Sequence, residues 1–229
     1  MLPILLLHGA LATADQMNDL VQRLVPDNAA AFTFSGHGLR AQEPLDFDRF
    51  VDDIEQYMVS HAMERVHLFG YSMGGYAALL FAARFPHRVA SVTTLGAILV
   101  FTEEGLQREL NKLDPDLLAK KVPAFATRLA QLHGKEHWQA VVRGIAVQMT
   151  DLARSPRLTN AVVERIPSPV MCMVGSDDTS ADPERTRLFA EKMGAGYMVL
   201  PNTKHPFESV DLDRVVTELR RFCVAAENA

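Results

Sequence analysis

The segment Val66-His-Leu-Phe-Gly-Tyr-Ser-Met-Gly-Gly-Tyr-Ala-Ala-Leu-Leu80 limits the possible folds of this chain more than any other stretch. An apolar run of strand length passes through Gly70-Tyr71-Ser72-Met73-Gly74 directly into a run with helical character. A strand can turn into a helix over so few residues only where its neighbours are small, because a Cβ at position 70 or 74 collides across the turn. Ser72 then sits strained at the C-terminal edge of the strand with its hydroxyl exposed. It also lies at a helix N-terminus, where unpaired amides and the dipole favour developing negative charge.

Apolar runs of strand length recur at residues 4–7, 29–34, 66–69, 89–95, 170–174 and 197–200. Most are apolar throughout rather than alternating, as parallel strands covered on both faces require. Segments with helical spacing separate them, among them Met17, Leu20, Val21 and Leu24, then Phe47, Phe50, Val51, Ile54 and Met58. Strand alternating with helix predicts an α/β fold with a doubly wound, mostly parallel sheet of about six strands. Between Thr102 and Ile166 there is no strand-like run and the spacing is helical, with Asp114-Pro115 reading as an N-cap followed by proline at the first helical position. Residues 1–101 and 167–229 are therefore expected to form one core, and residues 102–166 an inserted, all-helical lid that does not fold independently.

Composition narrows the function. With 23 Lys+Arg against 28 Asp+Glu, the formal charge of −5 offers nothing to a phosphate backbone or an anionic bilayer, so neither nucleic acid nor membrane is an expected partner. The expected partner is a small-molecule substrate, with the chain acting as a monomer or homodimer. The apolar start ending in Ala10-Leu11-Ala12 imitates an export signal, but it has no Lys or Arg before the run and His8-Gly9 would be lost on cleavage. The expectation is a cytoplasmic protein whose first residues form a strand. Cys172 and Cys223 read as two buried thiols. No cofactor and no metal are expected, since the chain has no G-x-G-x-x-G, no Walker sequence and no clustered ligand set.

A serine hydroxyl is a poor nucleophile until a base takes its proton. On such a turn in a doubly wound fold the chain order is serine, acid, histidine. Of eight histidines only His205 follows the plausible acids. It falls after the last strand run, at the sheet edge where open α/β sheets bind ligands. The acid is expected after the fifth strand, where Asp177 and Asp178 are adjacent; Asp178 is preferred because Asp177 can cap its own turn. Two amides are needed for an oxyanion: that of Met73, and one from the loop after the first strand, Ala10 or else Leu11. Leu11, Tyr71 and Trp138 are further candidates for substrate contact.

Taken together, His8-Gly9, Ser35-Gly36-His37-Gly38, Gly70-Tyr-Ser-Met-Gly-Gly75, Phe85-Pro-His-Arg-Val89, Gly175-Ser-Asp-Asp178 and His205 resemble, in order and spacing, the α/β-hydrolase superfamily. The resemblance covers the whole chain except the helical insertion, which matches the family's lid in position only. It implies the strand order two, one, three, four, five, six, places the acid on Asp178, and makes His8 and His37 loop-supporting residues. Thr33 stands where family members often carry a structural Asp. The activity expected is hydrolysis of an ester or thioester through an acyl-enzyme, and the apolar residues of the insertion, Trp138 among them, point to a small to medium apolar acyl group. The alternatives with the same residues are carbon-carbon bond hydrolysis, lyase or perhydrolase chemistry, and, as a different class, a non-catalytic receptor.

Overall fold

A computed structural model describes residues 1–228. Its strands are β1 (Ile4–Leu7), β2 (Ala29–Phe32), β3 (Val66–Tyr71), β4 (Val89–Leu95), β5 (Val170–Gly175) and β6 (Gly196–Leu200). All six lie in one sheet in the order β2-β1-β3-β4-β5-β6, with every neighbouring pair parallel. The helices are α1 (Asn18–Arg23), α2 (Phe47–Ser60), α3 (Met73–Arg84), α4 (Glu103–Leu110), α5 (Pro115–Lys121), α6 (Pro123–His133), α7 (Trp138–Arg154), α8 (Asn160–Val163), α9 (Pro183–Met193) and α10 (Leu212–Glu227).

Successive strand residues point to opposite faces, and here both faces are apolar and covered. Leu5 and Leu7 pack with α2, α3 and α9 on one side, while Ile4 and Leu6 pack with α1 and α10 on the other. The chain runs outward from β1 to β2 and returns to β3 on the far side of β1, so the order reverses between β1 and β3. Ligands of open α/β sheets bind beyond the strand ends at such a reversal. Register puts Leu7 opposite Gly70, which brings the loop after β1 beside the turn after β3.

Two strand ends differ from the sequence expectation by two residues, and those of β5 and β6 by one. β2 stops at Phe32 rather than residue 34 because the next amides turn to side-chain acceptors: Phe34 N–H donates to His8 Nε2 and Ser35 N–H to Asp53 Oδ2. β3 runs on through Tyr71, so its last residue abuts Ser72.

Helices α4–α8 lie between β4 and β5. Thr102 caps α4 by accepting from the Gly105 amide, and Asp114 caps α5 through the Asp116 and Leu117 amides, with Pro115 in the first turn. Ile145 and Leu152 of α7 join the main core, whereas Ala126, Leu129, Trp138 and Val142 form a separate cluster between α6 and α7. Cys172 and Cys223 are both buried and free, and burial pushes their thiols up to about 11 and about 12, which keeps them protonated. Among the described residues no helix is long and apolar enough to cross a membrane.

Candidate active site

Ser72 connects β3 to α3 with φ 50° and ψ −116°, a conformation an L residue adopts only where its surroundings enforce it. The enforcement comes from two glycines. A Cβ on Gly70 would lie 2.4 Å from the backbone of Gly74 and Gly75, and one on Gly74 would lie 2.4 Å from the Leu7 carbonyl oxygen. The turn is therefore closed against itself and against the end of β1. Its amides are divided: Ser72 N–H donates to the Leu95 carbonyl at 2.8 Å, while Met73 N–H donates to no acceptor among the described residues.

A chain of hydrogen bonds starts at this serine. Ser72 Oγ donates to His205 Nε2 at 3.3 Å, and His205 Nδ1 donates to Asp178 Oδ2 at 2.8 Å. The other oxygen, Asp178 Oδ1, accepts from the amides of Ser180 and Ala181, both at 2.8 Å. The Asp178 side chain is 2% exposed and that of His205 22%, so the acid is enclosed and the base reaches the open side. Asp177 is exposed and its carboxylate accepts from the Ser176 hydroxyl, away from His205. Tyr71 O–H donates to the His205 carbonyl at 2.6 Å, fixing the histidine loop from the strand beneath it. Burial, reinforced by nearby Asp178, pushes the Tyr71 phenol well above its usual range, so it stays a donor.

The loop after β1 is held at several points. His8 is fully buried; its Nε2 accepts from the Phe34 amide, so Nδ1 carries the proton and donates to the Gly9 carbonyl at 2.8 Å. The Gly9 carbonyl and the Ala10 N–H belong to one planar peptide unit and point in opposite directions, so His8 sets the direction of the Ala10 amide. Gly9 N–H donates to Gln16 Oε1 at 2.8 Å and is thereby used, whereas Ala10 N–H has no acceptor among the described residues. Gly9 also lacks a side chain for a reason of packing, since a Cβ would lie 2.7 Å from the Tyr71 ring. Burial holds His8 down to about 4 and keeps His37 neutral beside it, so neither is poised as a base at neutral pH. Thr33 accepts from the Ala14 amide through its hydroxyl.

A cavity of about 670 Å³ opens over these groups. Ala10, Leu11, Tyr71, Ser72, Met73 and His205 all line it, together with apolar side chains of α2 (Phe47, Phe50) and α7 (Ile145, Met149, Leu152). Trp138 does not line it. At the start of α7 its ring turns into the cluster with Leu129 and Val142, 7% exposed, which corrects its expected contact with substrate. Two contributors were not singled out by sequence reasoning. Gly96 has φ +61°, and a Cβ there would lie 3.2 Å from Asp178 Oδ2, so its bareness leaves space for the acid; Gln16 carries no motif, and only the folded loop reveals its bond. Among the described residues no cluster of side chains is arranged to hold a metal ion.

Residues 4–218 match the family model described as the alpha/beta hydrolase family. A serine hydrolase-like protein of Danio rerio is 35% identical over 98 residues, covering 41% of this chain and 30% of that protein. The chain spans less than a third of the length of the curated relatives it matches. Among solved structures, NosK from Streptomyces actuosus superposes with a TM-score of 0.78 at 22% identity, covering 99% of each chain. A thermophilic esterase from Thermogutta terrifontis superposes with a TM-score of 0.73 at 19% identity, covering 99% of this chain and 90% of the other.

Proposed function

The chain belongs to the alpha/beta hydrolase family, and on that premise we propose that it is a serine hydrolase acting on an ester or thioester with a small to medium apolar acyl group. The observation that carries this reading is the continuous Ser72–His205–Asp178 hydrogen-bond chain at the wall of an apolar cavity. Ser72 Oγ attacks the substrate carbonyl while His205 Nε2 takes its proton; His205 then returns that proton to the leaving alcohol or thiol, leaving an acyl-enzyme. Water attacks the acyl-enzyme with His205 again as base, releasing the acid. Asp178 holds the imidazole with Nδ1 protonated and stabilises the imidazolium without taking the proton.

The amides of Met73 and Ala10 receive the oxyanion. Neither has an acceptor among the described residues, and both residues line the cavity with Ser72. Losing one such donor typically costs about 3 kcal/mol of transition-state stabilisation. The insertion serves as the lid, with α7 supplying one wall of the acyl pocket. About 670 Å³ falls within the range of roughly 300–1,000 Å³ of sites enclosing a drug-sized molecule. The name of the Danio rerio relative agrees with this reading. The test is hydrolysis of p-nitrophenyl esters from two to twelve carbons. Wild type is expected to turn them over and Ser72→Ala to lose at least a thousandfold in kcat; hydrolysis at the wild-type rate by Ser72→Ala rejects the reading.

A further inference from the structure

The insertion reaches back to the loop after β1 through one side chain. His133, the last residue of α6, is 2% exposed and spans two backbone segments of the core. Its Nδ1 accepts from the Gly38 amide at 2.9 Å, and its Nε2 faces the Leu11 carbonyl at 3.1 Å. An amide can only donate and a carbonyl can only accept, so the tautomer is determined: Nδ1 is bare and Nε2 carries the proton. A neutral imidazole satisfies both partners at once; burial keeps His133 neutral by lowering its pKa.

What it grips is strained. Leu11 has φ +60°, in the left-handed region that costs a non-glycine residue about 1 kcal/mol or more. Its side chain packs against the cluster of Ala126, Leu129, Trp138 and Val142 in the insertion as well as against the main core, so α6 and α7 meet this residue at both its carbonyl and its side chain. Leu11 directly follows Ala10. The peptide before Ala10 is held from the core by His8 and Gln16; past Ala10 the loop is held at the Leu11 carbonyl, one peptide further on, which among the described residues accepts only from His133.

Resting on the reading of Ala10 as an oxyanion donor, we propose that His133 is a positioning residue for that donor: its Nε2–H clamps the Leu11 carbonyl, so the oxyanion site is complete only with the helical insertion docked. His133 touches no reacting atom. It acts on the rate by holding the Ala10 amide where the oxyanion forms, and not on the ground-state fit of the acyl chain.

Two amide substitutions separate the two bonds. In His133→Gln the side-chain NH₂ can occupy the place of Nε2 and keep the bond to Leu11; in His133→Asn the shorter side chain reaches only the place of Nδ1 and keeps the bond to Gly38. The full chain carrying each is assayed for kcat and KM on p-nitrophenyl butyrate, beside Ser72→Ala, with thermal midpoints for all. The expected result is a fall in kcat of at least about tenfold for His133→Asn with KM within twofold, and kcat within about threefold of wild type for His133→Gln. Equal kcat for the two, whether both near wild type or both low in step with their thermal midpoints, overturns the proposal, since a purely structural role does not distinguish them. Should His133→Asn not fold, the same comparison is made with His133→Leu, which removes both bonds. Undiminished hydrolysis by Ser72→Ala overturns the serine reading itself, whatever the His133 variants do.

Discussion

The serine turn and the pair of aspartates each make a claim that one substitution can test. Gly74→Ala drives a Cβ to 2.4 Å from the Leu7 carbonyl oxygen, and neither backbone can swing away without opening β1 from β3. Forced overpacking of this kind costs about 3 kcal/mol, so the expected outcome is a thermal midpoint lowered by several degrees and a corresponding loss of hydrolysis. A Gly74→Ala protein with wild-type midpoint and rate contradicts the tight-turn account. Asp177 and Asp178 carry the same chemistry one residue apart, yet only Asp178 meets His205. Asp178→Asn is expected to lower kcat by about 10⁴, the size of effect seen when a histidine is left in the wrong tautomer, while Asp177→Asn stays within twofold. Comparable losses from both variants in the same steady-state assay argue against Asp178 as the orienting acid.

At the scale of elements, α7 does two jobs that its sequence spacing alone does not separate. Its Ile145 and Leu152 fuse the insertion to the main core, Met149 faces the cavity, and Trp138 packs inward against α6. Met149→Trp is expected to shorten the preferred acyl chain by at least two carbons, because the larger side chain fills part of the cavity that Met149 lines. Trp138→Ala is expected to cost about 3 kcal/mol of stability through the cavity it leaves, with the chain-length profile unchanged. A p-nitrophenyl ester series read beside thermal melts checks both. A shifted profile for Trp138→Ala together with an unchanged one for Met149→Trp reverses the assignment.

The molecule as a whole carries several histidines that burial keeps neutral. His8 falls from the ordinary 6.5 to about 4, and His37, His67 and His133 are lowered in the same direction, chiefly by desolvation. A pKa lower in the folded chain than in the unfolded one means the unfolded chain binds more protons between the two values. The stabilisation is therefore complete above pH 6.5 and is lost as pH falls from about 6.5 toward about 4, with His8 alone contributing on the order of 3 kcal/mol. Thermal midpoints are expected to drop steadily between pH 7 and pH 5; a flat profile over that window contradicts neutral burial. The strand-helix alternation, the glycine-flanked serine turn and the position of the helical insertion were legible in the sequence, because each arises from hydrophobic period or from sterics within one turn. Chain order alone made His205 the expected base, and it lies within hydrogen-bond distance of Ser72. Asp178 was preferred over Asp177 from turn chemistry and the resemblance, whereas folding was needed to turn Trp138 from the cavity into the insertion and to bring His133 to a carbonyl 122 residues earlier. Those outcomes depend on side-chain direction and on contacts between distant segments, which local periodicity does not encode.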